Sequence, residues 1–402
     1  MSLASICQCT NPQRKSCSRL VTCRGGAVES GCRGAPVIFA PVQHGDTRLR
    51  GGFGVASSAV ADMLPTSMSD DASIVVGTGV YGIPNLYYTE AQGVSIIGDG
   101  CWSGLPAISG DGKTVLACHT DGQGLWNAAR WLGQTNWQDL GTITGGVPCD
   151  SFLSGAYGMN RNGSLGVGLL YLKTLCRANA GMWHLTNDAS PTVLPALFGE
   201  TTYSRANAVN ADGSVIVGWQ DQLDGERTAA KWVNGVEELI LTQDGEFNGE
   251  ALAVNANGSA IVGSNCAYGH QAWIWSDSAG VSPIGDNGGD DWVAVDVSDD
   301  GQVVVGFVRG GDASIWENGS GASSLLTYIT DHGAVVPPGW RLSSASLISS
   351  DGNTIYGWGL NADNLIEMFK VVLNTPVKCG LCQVTAEGTL RVSHAIRVPP
   401  HL

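Results

Sequence analysis

Charge is scarce in this chain: Asp, Glu, Lys and Arg make up 14% of its 402 residues, against about 25% in an average soluble domain. Basic residues are the scarcer kind, 21 against 36 acidic, for a net charge of −15. Nearly half of them sit at the ends, so that residues 1–50 carry a local +5 and 377–402 a local +2, while 51–376 carries −22. A body that acidic repels phosphate backbones and argues against nucleic-acid binding. No stretch approaches 18 consecutive apolar residues, which excludes a membrane-spanning helix. The Ala/Glu/Lys/Leu-rich texture of helical bundles is missing as well. So are the HExxH and G-x-S-x-G motifs of metalloproteases and α/β-hydrolases. Global disorder is excluded in turn, because 43% of the residues are hydrophobic, enough for a large core.

What the chain has in excess is glycine, 56 residues of 402, and much of it is periodic. The strings MSDDASIVVG, ISGDGKTVLA, MNRNGSLGVG, VNADGSVIVG, VNANGSAIVG, VSDDGQVVVG and ISSDGNTIYG align on Ala72, Gly112, Gly163, Gly213, Gly258, Gly301 and Gly352. The spacings are 40, 51, 50, 45, 43 and 51 residues. Each string is followed by an aromatic-bearing apolar run (NLYYTE, AARWL, GMWHL, AAKWV, AWIWS, ASIWE, EMFKV), and most by a further β-rich run such as GVSIIG, VEELIL or SSLLTYI. Each unit thus reads as four strands, the first two joined by an Asp-Gly or Asn-Gly type I′ turn with positive φ at both positions. Units of four short strands at this period are propeller blades, and blades bury their faces only by stacking around an axis.

The reading is therefore all-β: one seven-bladed propeller of four-stranded antiparallel blades over 36–376. A basic, Cys-rich, disordered leader (1–35) precedes it, and a tail (377–402) follows. The seventh unit lacks an obvious fourth strand, while PVIFAPV (36–42) is an unassigned β run, so the N-terminus is expected to supply the last blade's outer strand. QVTAEGTLRV (383–392) weakly resembles a further hairpin, so eight blades are the alternative. MSLASICQC has neither the basic start nor the apolar length of a clean signal peptide, leaving a misplaced start or an unusual leader open.

The strings VNADGSVIVG and VSDDGQVVVG, each followed by an Ala- and Trp-bearing strand, resemble the bacterial HAF-type extracellular repeat proteins. VPPGWRLSSASLISSDGNTIYGWGLNADNLIEMF is similar to that family's usual last repeat. The resemblance spans about 51–376 and fails at both ends. It implies a secreted or cell-surface location and brings no catalytic residues with it.

Several apparent motifs dissolve into the repeat. GTGVYG (77–82) fits a dinucleotide fingerprint, but Pro84 and a strand follow where a helix is required. SGDGKT (109–114) ends like a P-loop but has Ala107 where the first glycine belongs. Two of the Asn-Gly-Ser sequons, at Asn162 and Asn257, are themselves turns. Asp296–Gly301 has oxygen ligands near calcium-loop spacing, yet Phe307 stands in place of the twelfth-position Glu. This excludes an EF-hand and leaves a looser calcium site open. No other cofactor is expected, and the identity of any metal is unknown. Trp131, Trp183, Trp232, Trp275 and Trp316 read as staples between blades.

In such a ring the loops between second and third strands and the crossings between blades share one end, where acidic and Trp-bearing segments gather. Trp102, Asp286, Asp290, Asp291 and Trp292 are the ligand-binding candidates there, since Trp beside Asp suits sugar or cation binding. The functional expectation is an exported, monomeric, non-catalytic binding or surface-display module for a carbohydrate or a cell-surface component. A propeller glycosidase or lyase using carboxylates at that end is the alternative. Cys101 and Cys118, and Cys149 and Cys176, each flank one hairpin on that end and are the candidate disulfides, with Cys266 left over.

Overall fold

The computed structural model describes residues 38–41, 63–373 (apart from 80–83, 102, 144–151, 173–175, 187–189, 247, 266–270 and 286–290), 383–384 and 390–391. The leader, with its five cysteines, lies outside the described residues. Seven four-stranded antiparallel sheets account for almost all of the secondary structure. Blades 1 to 7 span residues 64–98, 107–139, 154–193, 204–239, 250–283, 292–324 and 341–372. Residues Ile38–Leu373 form one compact unit.

Blade 7 has only three strands of its own, and Ile38–Pro41 completes it. That segment pairs antiparallel with Ile366–Val372, Ile38 opposite Val372 and Pro41 opposite Phe369. Phe39 lies edge-on to Trp340 at 5.4 Å and tilted against Phe369 at 5.8 Å, so the closure is made by ring packing as well as by the ladder. Gln383–Val384 pairs only with Leu390–Arg391, as an isolated two-stranded sheet. The ring has seven blades.

The Asp-Gly signal marks each first hairpin, but the turn is not type I′. Ala72 N–H donates to the Ser69 carbonyl and Ser69 N–H to Ile74 O, each at 2.9 Å, so the turn begins at Ser69, three residues before Ala72. Among the described turns only the residue after the Asp or Asn has positive φ, as in Ala72 (54°) and Gly213 (85°). The Asp or Asn instead folds back on the loop. Asp71 Oδ1 accepts from Ser73 N–H at 3.0 Å and from the Ser69 and Ser73 hydroxyls at 2.7 Å each. The Ser69 hydroxyl bond, foremost among these, holds the Asp71 carboxyl below the usual range. An opening Ser or Asn, a carboxylate or amide and a left-handed residue are what the repeat encodes.

The recurrent strand-end glycine answers a different need. Each innermost strand of blades 1 and 3–7 carries a bulge, as at 65–67 and 206–208, which drives a backbone carbonyl into the second strand. A Cβ on Gly77 would sit 2.2 Å from the Leu64 oxygen, and one on Gly218 1.9 Å from the Arg205 oxygen. Gly77, the first glycine of the dinucleotide-like string, is accounted for in this way.

One further sequence reading needs correction. The run SSLLTYI is not one strand: Gly321–Ser324 forms the fourth strand of blade 6 and Leu325–Asp331 is a helix. Leu325 and Ile329, four apart, are fully buried on its inner face. Of the recurrent tryptophans, Trp183 and Trp232 are fully buried, whereas Trp131, Trp275 and Trp316 are half-buried and pack against the core clusters from their edges.

Candidate functional site

The seven innermost strands surround an axial cavity of about 530 Å3. At the turn end, the residues just before the Asp or Asn of each hairpin (Asp70, Gly110, Arg161, Ala211, Ala256, Asp299 and Ser350) ring the axis. Neighbouring turns are tied by backbone bonds, Asp70 N–H to Gly110 O at 2.9 Å, Gly110 N–H to Arg161 O at 2.7 Å and Asp299 N–H to Ser350 O at 3.0 Å. Arg161 is the one cation in this ring. Its guanidinium reaches from blade 3 to Asp70 of blade 1 (2.7 Å), Asp299 of blade 6 (3.2 Å) and the Ser350 hydroxyl of blade 7 (3.3 Å). The Asp70 bond foremost raises its pKa. One side chain thus spans the turn end of the axis.

Between the ends the wall is made of small polar and apolar side chains at the bulges. Thr66 Oγ1 donates to Pro106 O at 2.6 Å and Asn207 Nδ2 to Ala251 O at 2.7 Å, each sewing one blade to the next. Asp296 does the same as an acceptor, taking Ile348 N–H at 2.8 Å and Val297 N–H at 2.9 Å. Burial nevertheless pushes its carboxyl up to about 7, outweighing those two donors.

At the opposite, loop-bearing end, three half-buried aromatics line the cavity: Tyr157 from blade 3, Phe307 from blade 6 and Trp358 from blade 7. Arg205 joins them and begins an alternating stack that runs outward over blade 4. Its guanidinium lies 4.4 Å from the Tyr157 ring centre and 5.4 Å from that of Trp219, and Arg227 covers Trp219 at 3.5 Å. The edges of both guanidiniums are paired. Arg205 bonds Glu250 at 3.1 Å and Asn207 at 2.6 Å; Arg227 bonds Asp221 at 3.2 Å and also Glu250. The stack is therefore a rigid platform with its charges balanced in place.

Of the expected ligand residues, Trp102, Asp286 and Asp290 lie outside the described residues. Asp291 is half-buried beside the first strand of blade 6, its carbonyl accepting Arg309 N–H at 2.8 Å. Trp292 is not a surface residue. It opens that strand opposite Val308 and is 3% exposed inside the core cluster with Ile284 and Ala294. The pattern of apolar positions at the head of the strand outweighed the acidic loop before it. Sequence reasoning missed Tyr157, Arg205, Phe307 and Trp358. A signal was available: the residue after the strand-end glycine is Trp219, Phe307 and Trp358 in three of the repeats, and it faces the loop-bearing end.

Cys101 and Cys118 are disulfide-bonded, with Cα atoms 5.6 Å apart. Cys176 is disulfide-bonded as well, and its expected partner Cys149 lies outside the described residues, as does Cys266. In the Asp296–Gly301 run the carboxylates turn to different partners: Asp296 to backbone amides, Asp299 to Arg161, and Asp300 to Ser298 Oγ at 2.7 Å and Gln302 N–H at 3.0 Å. Among the described residues no group of three or more His, Cys, Asp or Glu side chains is placed to hold a metal, and no helix is long and apolar enough to cross a membrane.

No protein-family model matches the sequence, and no curated protein matches it significantly. Solved structures do resemble it. The β-propeller domain of Myceliophteria thermophila Cps50 (Swd1) is similar at 13% identity and a TM-score of 0.51, over 84% of this chain and all of that one. The propeller domain of the Trilobed protease from Pyrococcus furiosus, of open velcro topology, is similar at 11% identity and a TM-score of 0.51, over 77% and 95%. At such identities the likeness is one of fold: the chain is a seven-bladed β-propeller.

Proposed function

We propose that the protein is an exported, non-catalytic binding propeller that takes a carbohydrate ligand at the loop-bearing end of its axis. The observation that carries this reading is the collar of Tyr157, Phe307 and Trp358 with Arg205 around the mouth of the axial cavity. Aromatic faces suit sugar C–H surfaces, and Thr66, Asn207 and the serines below them suit hydroxyls. Arg161 spanning the far end favours a blind pocket over a through-passage. The Cys101–Cys118 bond supports export, since disulfides persist in oxidising compartments. The resemblance of the repeats to HAF-type extracellular proteins points the same way.

A second reading, a glycoside-cleaving enzyme, is favoured by one feature. Asp296 lines the same cavity with its carboxyl near 7, the range useful for a general acid. A glycan array run with and without calcium, beside hydrolysis assays, separates the two. Binding without turnover is expected. Turnover abolished by Asp296→Asn would replace the binding module with the enzyme.

A further inference from the structure

On the loop-bearing end of blade 5, away from the axis, lies a second cavity of about 260 Å3. Its floor is formed by Asn248, from the crossing between blades 4 and 5, and by Trp273 and Val281 of blade 5. Thr242, Gln271 and Ser282 stand around it. Among the described residues no ionisable side chain lines it, in a chain with a net charge of −15.

One atom on its floor is unexplained. Asn248 is 4% exposed, and its Nδ2 is buried with no hydrogen-bond partner. The residue's backbone is engaged separately, Trp273 Nε1 donating to the Asn248 carbonyl at 3.0 Å. A buried amide donor without an acceptor costs about 1–3 kcal/mol, and native proteins leave few of them. The Thr242 hydroxyl accepts Glu246 N–H at 2.9 Å, so its own proton remains to be donated.

We infer that this cavity is a binding site for a small neutral sugar ring, with Asn248 Nδ2 donating to a ring or hydroxyl oxygen on the floor. Amide and hydroxyl groups offer both donors and acceptors, as sugar hydroxyls require, while Val281 and Pro283 offer apolar surface to the ring's C–H face. A charged ligand finds no counter-ion among the described lining residues and would be desolvated without return. The volume lies just under the about 300–1,000 Å3 of typical small-molecule sites, which suits one ring and excludes a buried polymer. This site shares no lining residue with the axial collar, and the two readings stand or fall separately.

The test is ligand-observed saturation-transfer NMR on the full chain, with glucose, galactose and N-acetylglucosamine as neutral probes and glucuronate as the charged one. At least one neutral probe is expected to bind in the millimolar range, as its few heavy atoms allow, and glucuronate to bind at least about tenfold more weakly. In a Trp358→Ala background, which removes the axial collar's own contribution, Asn248→Leu should weaken the neutral probe at least about tenfold. Failure of every neutral probe, equal binding of glucuronate, or undiminished binding by a folded Asn248→Leu variant would overturn the proposal. Should that variant not fold, Gln271→Ala on the exposed wall takes its place, and unchanged binding there counts against the site equally.

Discussion

Glu237 offers a quantitative test of how the blades are wedged together. It lies in the fourth strand of blade 4, Val236–Leu239, opposite Trp232, and is 7% exposed. One carboxylate oxygen accepts the Leu197 N–H from the crossing before the blade; the other, Oε1, is buried without a partner. Burial pushes the carboxyl from an ordinary 4.5 to about 7, against the pull of the Leu197 amide. A raised acid binds its proton more tightly in the folded chain. Its contribution to stability is therefore complete below about pH 4.5 and is lost as the pH rises towards 7. At about 1.4 kcal/mol per tenfold change in proton affinity, the loss is roughly 3 kcal/mol. Glu237→Gln keeps the shape and the Leu197 acceptor but cannot ionise. Any pH-independent penalty for its buried amide cancels when two pH values are compared. The variant's melting temperature relative to wild type should rise between pH 5 and pH 8 by several degrees, at about 2 °C per kcal/mol for a chain of this size. Differential scanning calorimetry at the two pH values checks it. A difference that stays flat across that range would refute the burial argument.

Three further outcomes follow from the closure and the core. Deleting residues 1–45 removes Ile38–Pro41 and the Phe39 contacts, so the whole ring should melt at a lower temperature in one transition. Deleting 1–33 should leave melting unchanged, and equal melting of the two truncations would contradict the closure. Cys101→Ser opens a 17-residue loop and should destabilise the oxidised protein by about 3 kcal/mol, read in urea, with no loss under reducing conditions. Trp292→Ala should cost about 3–5 kcal/mol as a core truncation, and a change within about 0.5 kcal/mol would return Trp292 to the surface.

The fold was legible because its signals are local and recur. The Asp-Gly turns, the strand-end glycines and the orphan PVIFAPV run all follow from backbone requirements within a few residues. Where two local patterns overlap, the sequence is ambiguous. Leu325 to Ile329 is apolar and β-rich enough for a strand, yet the spacing of Leu325 and Ile329 equally suits the helix that forms. The site was less legible for a different reason. Arg161 meets Asp70, Asp299 and Ser350 across the axis although 91 to 189 residues separate it from them, and Glu250 joins Arg205 to Arg227 from the next blade. Such meetings depend on the ring. Trp292 shows the opposite error, an acidic neighbourhood taken for a surface when the strand behind it was core.

The central claim is that the aromatic collar at the loop-bearing end is the ligand surface. Trp358, half-buried and lining the cavity, tests it most directly. Wild type and Trp358→Ala, matched for melting temperature, should be compared on the same glycan array. The account predicts a defined set of glycans bound by wild type and weakened at least about tenfold, roughly 1.4 kcal/mol, in the variant. Identical binding profiles for the two proteins would contradict it.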